Sequence, residues 1–339
     1  MGMRIGVIGY KNHAERLIKA ITQQKDVTEL WVFHPKKERL FNLDFPSSIF
    51  SLHTTTIIEN LFSLDAVFIA SPSETHYSYI LKLIDKVNYI FCEKPPAVNR
   101  TELNNLLRLK KSQRKKILFN FMFSRSPFSI IVRNRIIDGK IGELVHASFK
   151  ASQGLAFKLG FKNNWRFTRT NIFSSITGNL GIHYVHLILE LFGRADVEFF
   201  NRSAIETKNG HDTAYFVLSL DRKKCASVLL SYAAPYLQEA TVLFSNGVIT
   251  LNNGVVEEQK PRDIFDKSGR FAPPPKQMLF KPSSPNEFYD LSLSNMIDFF
   301  FSTIQRQESF NDEQFFLGIK ASHLILDMES YDKKTDEPG

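Results

Sequence analysis

The chain has 339 residues, 43% of them apolar, and a formal net charge of +8. That length suits two domains of ordinary size, and the apolar share suffices for a sizeable core. No run of about 18 apolar residues occurs, which argues against a membrane span, and two cysteines, Cys92 and Cys225, set no disulfide framework.

The N-terminus enters a strand at Arg4–Gly9 without the basic, apolar and small-residue layout of a signal peptide. With the cysteine count, this points to a cytoplasmic protein. Both cysteines lie in apolar runs and read as buried thiols. The basic residues are dispersed except in Lys110–Lys116. That run reads as the solvated end of a helix, so charge alone gives little support to a nucleic-acid partner.

From residue 4 to about residue 120, strands and helices alternate. Ala14, Leu17, Ile18 and Ile21 share one face of a helix over 13–24. Strands follow at Leu30–Phe33, at Ile49–Leu52, at Ala66–Ala70, at Tyr89–Cys92 and at Ile117–Phe119. Helices are predicted over Thr56–Phe62, over Ser73–Ile84 with Ser73 as N-cap, and over Thr101–Lys110 with Thr101 as cap. Such alternation predicts a doubly wound, mostly parallel α/β sheet.

Beyond residue 120 the rhythm changes. A helix over Ile130–Ile137 stops at Gly139, and alternating strands begin at Leu144. Further strands are expected over 196–200, 214–220, 226–231, 240–244 and 247–251, with a hairpin turn at Ser245-Asn246-Gly247. A helix over Ile182–Phe192 interrupts them; the Pro-, Lys- and Ser-rich stretch 258–288 reads as a loop; helices over 292–304 and 313–328 close the chain. The predicted organisation is a Rossmann domain over 1–120, an α+β domain with a large, mostly antiparallel, open-faced sheet over 121–332, and a tail over 333–339. The open sheet face needs a cover, and a second copy of the chain in a homodimer or homotetramer is the simplest one.

Gly9-Tyr10-Lys11-Asn12-His13-Ala14 stands where a Gly-x-Gly-x-x-Gly/Ala turn belongs. Gly9 permits the tight turn and Ala14 permits close helix–sheet packing. Lys11 replaces the glycine that admits a pyrophosphate, so it either crowds the phosphates or supplies them a cation. At the end of the second strand an acid usually meets the adenosine ribose. Here the chain reads His34-Pro35-Lys36-Lys37, which favours NADP over NAD if a dinucleotide binds. The alternative is that both lysines are plain surface charges.

Cys92-Glu93-Lys94-Pro95 puts a lysine at the carboxyl end of a strand, where it can touch both a cofactor and an alcohol or ketone. Together with Ser71-Pro72-Ser73-Glu74-Thr75-His76, Ile141-Gly142-Glu143-Leu144 and Gly178-Asn179-Leu180-Gly181-Ile182-His183, it resembles the Gfo/Idh/MocA oxidoreductase family over nearly the whole chain. The resemblance implies an NAD or NADP cofactor in the first domain and a sugar, polyol or sugar-nucleotide substrate. It implies cofactor contacts at Ser71, Pro72, His76 and Glu93. Lys94 becomes the partner of the developing alkoxide and a holder of the cofactor ribose, and His183 the acid/base. Arg125, Trp165, Arg166, Asn179, His183 and His186 become substrate-side residues.

Besides Lys11, three positions depart from the family pattern. Asn179 and His186 stand where that pattern carries acids, and Met122 stands in place of an arginine. Arg125 either replaces the lost cation or only caps the next helix. An uncharged Asn179 cannot raise the basicity of His183 as an aspartate would. Lys11, Asn179 and His186 together motivate the alternative function, a catalytically impaired protein of the same fold that binds a sugar or nucleotide in a non-redox role. His183 and His186 have no third ligand at metal-binding spacing, so no metal is expected.

Overall fold

A computed structural model describes residues 2–10, 13–40, 51–161, 171–207, 211–261 and 265–335. They fall in two compact units. One comprises Met1–Phe121 with Ser294–Ser322, the other Met122–Leu293 with His323–Gly339. A cut of the chain near residue 120 leaves 294–322 with the second domain, whereas the compact units place that segment with the first.

In the first unit six parallel strands lie in the order β3-β2-β1-β4-β5-β6. They are β1 (Met3–Ile8), β2 (Val27–Phe33), β3 (Ser51–Thr55), β4 (Ala66–Ile69), β5 (Tyr89–Glu93) and β6 (Ile117–Asn120). The order reverses between β1 and β4, which makes their carboxyl ends the switch point where such sheets bind ligands. Helix α1 (His13–Thr22) buries Ala14, Leu17, Ile18 and Ile21, the face its spacing predicts. Helix α2 (His76–Leu83) follows a 3-10 turn at Ser73–Thr75, so the helix proper starts three residues after the expected cap. Helix α3 (Arg100–Leu107) is capped by Asn99, whose side chain accepts from the Glu102 amide, and not by Thr101. The helix expected over Thr56–Phe62 shrinks to a 3-10 turn at Ile58–Leu61.

Phenylalanines explain why residues 294–322 belong to this unit. Phe68 of β4 and Phe91 of β5 stack at 4.7 Å, and Phe300 meets them edge-on at 5.0 and 5.4 Å. Aromatic pairs of this kind contribute about 0.5–1.5 kcal/mol each beyond their buried area. Arg114, in the short helix α4 (Lys111–Arg114), forks onto Asp312 at 2.8 and 2.9 Å. The Lys116 ammonium donates to the carbonyls of Ile84 and Val87. The basic run is thus partly committed to structure rather than only solvated.

The second unit is an eight-stranded sheet in the order β14-β13-β12-β11-β7-β10-β9-β8, antiparallel except for the β7–β10 pair. The strands are β7 (Leu144–Ser152), β8 (Ala195–Ser203), β9 (Thr213–Leu220), β10 (Lys224–Ser231), β11 (Leu237–Phe244), β12 (Gly247–Asn252), β13 (Val255–Gln259) and β14 (Lys276–Phe280). β14 and the end of β13 fall inside the stretch 258–288 expected as a loop, so that stretch is not loop throughout. Glu258 is buried there because Arg135 of helix α5 (Pro127–Asp138) forks onto it at 2.9 and 3.0 Å. Alternation gives the sheet one buried face, with Ala214, Phe216, Val228 and Val242, and one face exposing Tyr215, Leu229 and Leu243. Cys92 is buried as expected, whereas Cys225 is only half-buried, 3.4 Å from the His146 ring.

Helix α6 (Ile182–Phe192) is buried nearly all round and ends at Gly193. The last helices, α7 (Glu287–Gln305) and α8 (Asp312–Thr335), are longer than their sequence pattern suggested. No described helix is long and apolar enough to cross a membrane.

Candidate active site

In the first unit, candidate residues gather at the carboxyl ends of β1, β4, β5 and β6. Gly9 follows β1 with φ 102°, and a Cβ there would stand 2.6 Å from the Ala70 carbonyl oxygen. Only glycine permits both that angle and that approach, so the sharp turn into α1 depends on it. Tyr10 is half-buried beside it. Lys11 and Asn12 lie outside the described residues.

After β4, Ser71 and Thr75 share a hydroxyl–hydroxyl hydrogen bond of 2.7 Å. The buried His76 ring sets Nδ1 2.8 Å from the Pro95 carbonyl and Nε2 2.9 Å from the Ser71 carbonyl. His76 therefore ties the loop after β4 to the loop after β5. Burial lowers its pKa, against the raising influence of the two carbonyls and Glu93. Pro72 is exposed, and the Lys94–Pro95 peptide is cis.

Glu93 ends β5, is 8% exposed and anchors a polar cluster. Its Oε1 lies 2.8 Å from His13 Nε2 and accepts from Asn120 Nδ2 at 2.6 Å. Burial opposes ionisation of Glu93, but His13, Asn120 and Lys94 together outweigh it and hold the carboxyl below its ordinary range. Lys94 follows directly, half-buried. At the end of β2, His34 Nδ1 accepts from the Lys36 amide at 3.0 Å, and Lys36 and Lys37 stand exposed.

In the second unit, a π-helical turn at Thr177–Gly181 runs into α6. A Cβ on Gly178 would stand 2.3 Å from the Phe173 Cα, so the close approach of two chain segments requires glycine. Asn179 Nδ2 donates to the Tyr232 hydroxyl at 3.1 Å. His183, half-buried in the first turn of α6, packs its ring 4.9 Å from that of Phe123. His186 is buried one turn on, and burial with the cations Arg133 and Arg125 depresses its pKa to about 3. Arg133 donates to Glu190 of α6 and to the Ser124 carbonyl. Arg125 does not cap α5, because Ser126 does so through the Ser129 amide. Burial lowers the Arg125 pKa, Glu190 raises it and Arg133 lowers it. Trp165 and Arg166 lie outside the described residues. Among the described residues no three His, Cys, Asp or Glu side chains converge as a metal site.

Sequence reading missed Asn120 as a site residue and the pairing of His13 with Glu93 across 80 positions. The available signal was an asparagine closing the apolar run Ile117-Leu118-Phe119 at a strand's carboxyl end.

The strand order and the residues at its switch point define a Rossmann nucleotide-binding unit, followed in the chain by a second unit built on a mostly antiparallel sheet. The chain belongs to the Gfo/Idh/MocA family. Residues 3–121 match the model of the oxidoreductase family's NAD-binding Rossmann fold, and residues 131–250 match that of the GFO/IDH/MocA C-terminal domain.

Among curated proteins, an inositol 2-dehydrogenase of Rhizobium meliloti is 31% identical over 27% of this chain and 28% of its own length. Oxidoreductase P35 of Formosa agariphila is 24% identical over 56% of this chain and 61% of its own. The matches thus span less than two thirds of either relative. Among solved structures, a myo-inositol dehydrogenase from Corynebacterium glutamicum superposes with a TM-score of 0.75 at 15% identity, covering all of both chains. A levoglucosan dehydrogenase, in complex with NADH and levoglucosan, gives 0.78 at 15% identity over 98% of each. At these identities the superpositions speak for the fold.

Proposed function

We propose that this protein is an NAD(P)-dependent oxidoreductase that moves a hydride between a nicotinamide cofactor and a hydroxyl or keto carbon of a sugar, polyol or sugar nucleotide. The observation that carries the reading is Lys94, placed at the carboxyl edge of the Rossmann sheet directly after the buried, ionised Glu93. Gly9, with the backbone brought close to the end of β4, fits a dinucleotide at the same edge. The relatives that act on inositol and levoglucosan supply the substrate class.

When bound, the cofactor supplies or accepts the hydride. The chain's own residues then have separate tasks. Lys94 donates a hydrogen bond to the substrate oxygen and stabilises its developing negative charge. Glu93, fixed by His13 and Asn120, keeps the start of the Lys94–Pro95 loop in place. His183 takes or returns the hydroxyl proton as acid/base. Exposed Lys36 and Lys37, with no acid among residues 34–37, favour the 2′-phosphate of NADP. The exposed sheet face of the second unit pairs with a second copy in a homodimer or homotetramer. Monitoring nicotinamide reduction across inositols, monosaccharides and sugar nucleotides tests the reading, with Lys94→Ala as the control that should stay silent.

One observation favours a second reading. An amide at Asn179, bonded to Tyr232, and a neutral imidazole at His186 stand where the family pattern has acids. A protein so altered would bind the same ligands without turning them over.

A further inference from the structure

In the second unit, the entry to α5 and the end of α6 bring three charged side chains together. Arg133 Nη2 donates to Glu190 Oε1 at 2.8 Å and to the Ser124 carbonyl at 2.9 Å. Glu190 attracts Arg125 as well, whereas Arg133 repels it. An arginine keeps its charge in a protein, so the group sets two guanidiniums against one carboxylate. His186, which feels both arginines, stays neutral above about pH 3, and Asn179 is an amide. Asp212, whose carbonyl accepts from the Tyr232 amide, adds no charge there either. It is fully buried, and its carboxylate accepts from the Ile205, Glu206 and Thr207 amides and from the Thr207 and Thr213 hydroxyls.

The excess positive charge is within reach of a ligand. Arg125 and His183 are each half-buried, while His186 behind them is 5% exposed. Arg125 ends a 3-10 turn at Met122–Arg125, and Phe123 of that turn packs against the His183 ring at 4.9 Å. The turn therefore places Arg125 near the first residues of α6. Burial penalises the Arg125 charge. A guanidinium in that position gains most from an anion, which it can hold through two parallel hydrogen bonds.

We propose that the sugar bound beside His183 carries an anionic group, a carboxylate or a phosphate, and that Arg125 holds it. This rests on the carbohydrate reading of the site and narrows its substrate class. Arg133 has the complementary task of neutralising Glu190, so that this acid does not repel the ligand. A neutral sugar of the same size brings no charge to offset the desolvated guanidinium, so the site discriminates by charge.

The test is calorimetric titration of the full chain, with saturating NADPH or NADH, against matched sugars: glucuronate and glucose, galacturonate and galactose, glucose 6-phosphate and glucose. In at least one pair the anionic sugar should bind about tenfold more tightly than its neutral counterpart, the effect of a charge-assisted hydrogen bond. The pair with the larger ratio separates carboxylate from phosphate. The ratio should fall to near one in Arg125→Gln and survive in part in Arg125→Lys, which keeps the charge without the fork. Added salt should reduce it. Arg125→Lys serves alone if the glutamine variant does not fold. Equal or tighter binding of the neutral sugar in every pair, or binding of none of these sugars, overturns the proposal. So does a ratio unchanged in the variants, since that places the charge preference elsewhere. If neither NADPH nor NADH binds, the oxidoreductase reading fails by itself, and the same sugar titrations without cofactor still decide the anion preference.

Discussion

His13 Nε2 and Glu93 Oε1 lie 2.8 Å apart, joining the first residue of α1 to the last residue of β5. Helix α1 follows β1, and β4 lies between β1 and β5, so the bond reaches across the switch point of the sheet. It makes the glycine turn and the Lys94 loop one mechanical unit. A change at either end is therefore felt at the other.

The first prediction concerns acid. The folded state holds the Glu93 carboxyl below its ordinary range, so ionised Glu93 favours the fold. That contribution is complete above the unfolded value of about 4.3 and is lost as pH falls through the lower folded value. Glu93→Gln should destabilise the protein by about 2 kcal/mol at neutral pH. The gap between variant and parent should close in strong acid. Urea denaturation across that range reads it directly.

His186 acts in the same direction as Glu93, over a higher pH window. Its pKa of about 3 in the fold means that it stays neutral there while an unfolded histidine charges below about 6.5. The unfolded state binds more protons between those values, so stability falls as pH drops through that window, by up to about 1.4 kcal/mol per unit. His186→Gln should remove this part of the slope. Arg125 and Arg133, which oppose the charge, and Glu190, which faces both arginines, remain in the variant. An unchanged slope would contradict the assignment.

Breaking the fork between Arg135 and Glu258 should be costly because Glu258 is 2% exposed. Arg135→Met leaves a buried, uncompensated carboxylate and should cost about 3–5 kcal/mol. Adding Glu258→Leu should recover most of that loss. Denaturation midpoints of the single and double variants check both statements.

At Asn179 the expected change is in pH dependence. An aspartate there would accept from the Tyr232 hydroxyl, reversing the present bond, and would place a negative charge one turn before His183. The limb of the rate profile governed by His183, the acidic one when the substrate hydroxyl is oxidised, should move to higher pH in Asn179→Asp. A profile identical to the parent's would separate position 179 from the proton-handling group.

Much of this was legible in local patterns. The period of α1, the apolar runs of β4 and β5, and the glycine at 9 each follow from sterics or burial within a few residues. The missing parts depend on distant partners. Strand β13 carries Glu257 and Glu258 and looks polar until Arg135 supplies the counter-charge for the buried one. The Phe-rich segment around Phe300 reads as another helix of the second domain until Phe68 and Phe91 pair with it. Helix α3 shows the finer limit: Asn99 and Thr101 are both good caps, and only backbone geometry chose Asn99.

Lys94→Ala should abolish turnover while leaving the denaturation midpoint within about 1 kcal/mol of the parent, since the side chain is half-buried and not part of the core. Turnover close to that of the parent would remove Lys94 from the chemistry.

The most direct test of the central claim is titration of the purified protein with NADPH and NADH, followed by nicotinamide fluorescence. Saturable binding is predicted, tighter for NADPH because of Lys36 and Lys37 beyond β2. Absence of binding by either would contradict the oxidoreductase reading.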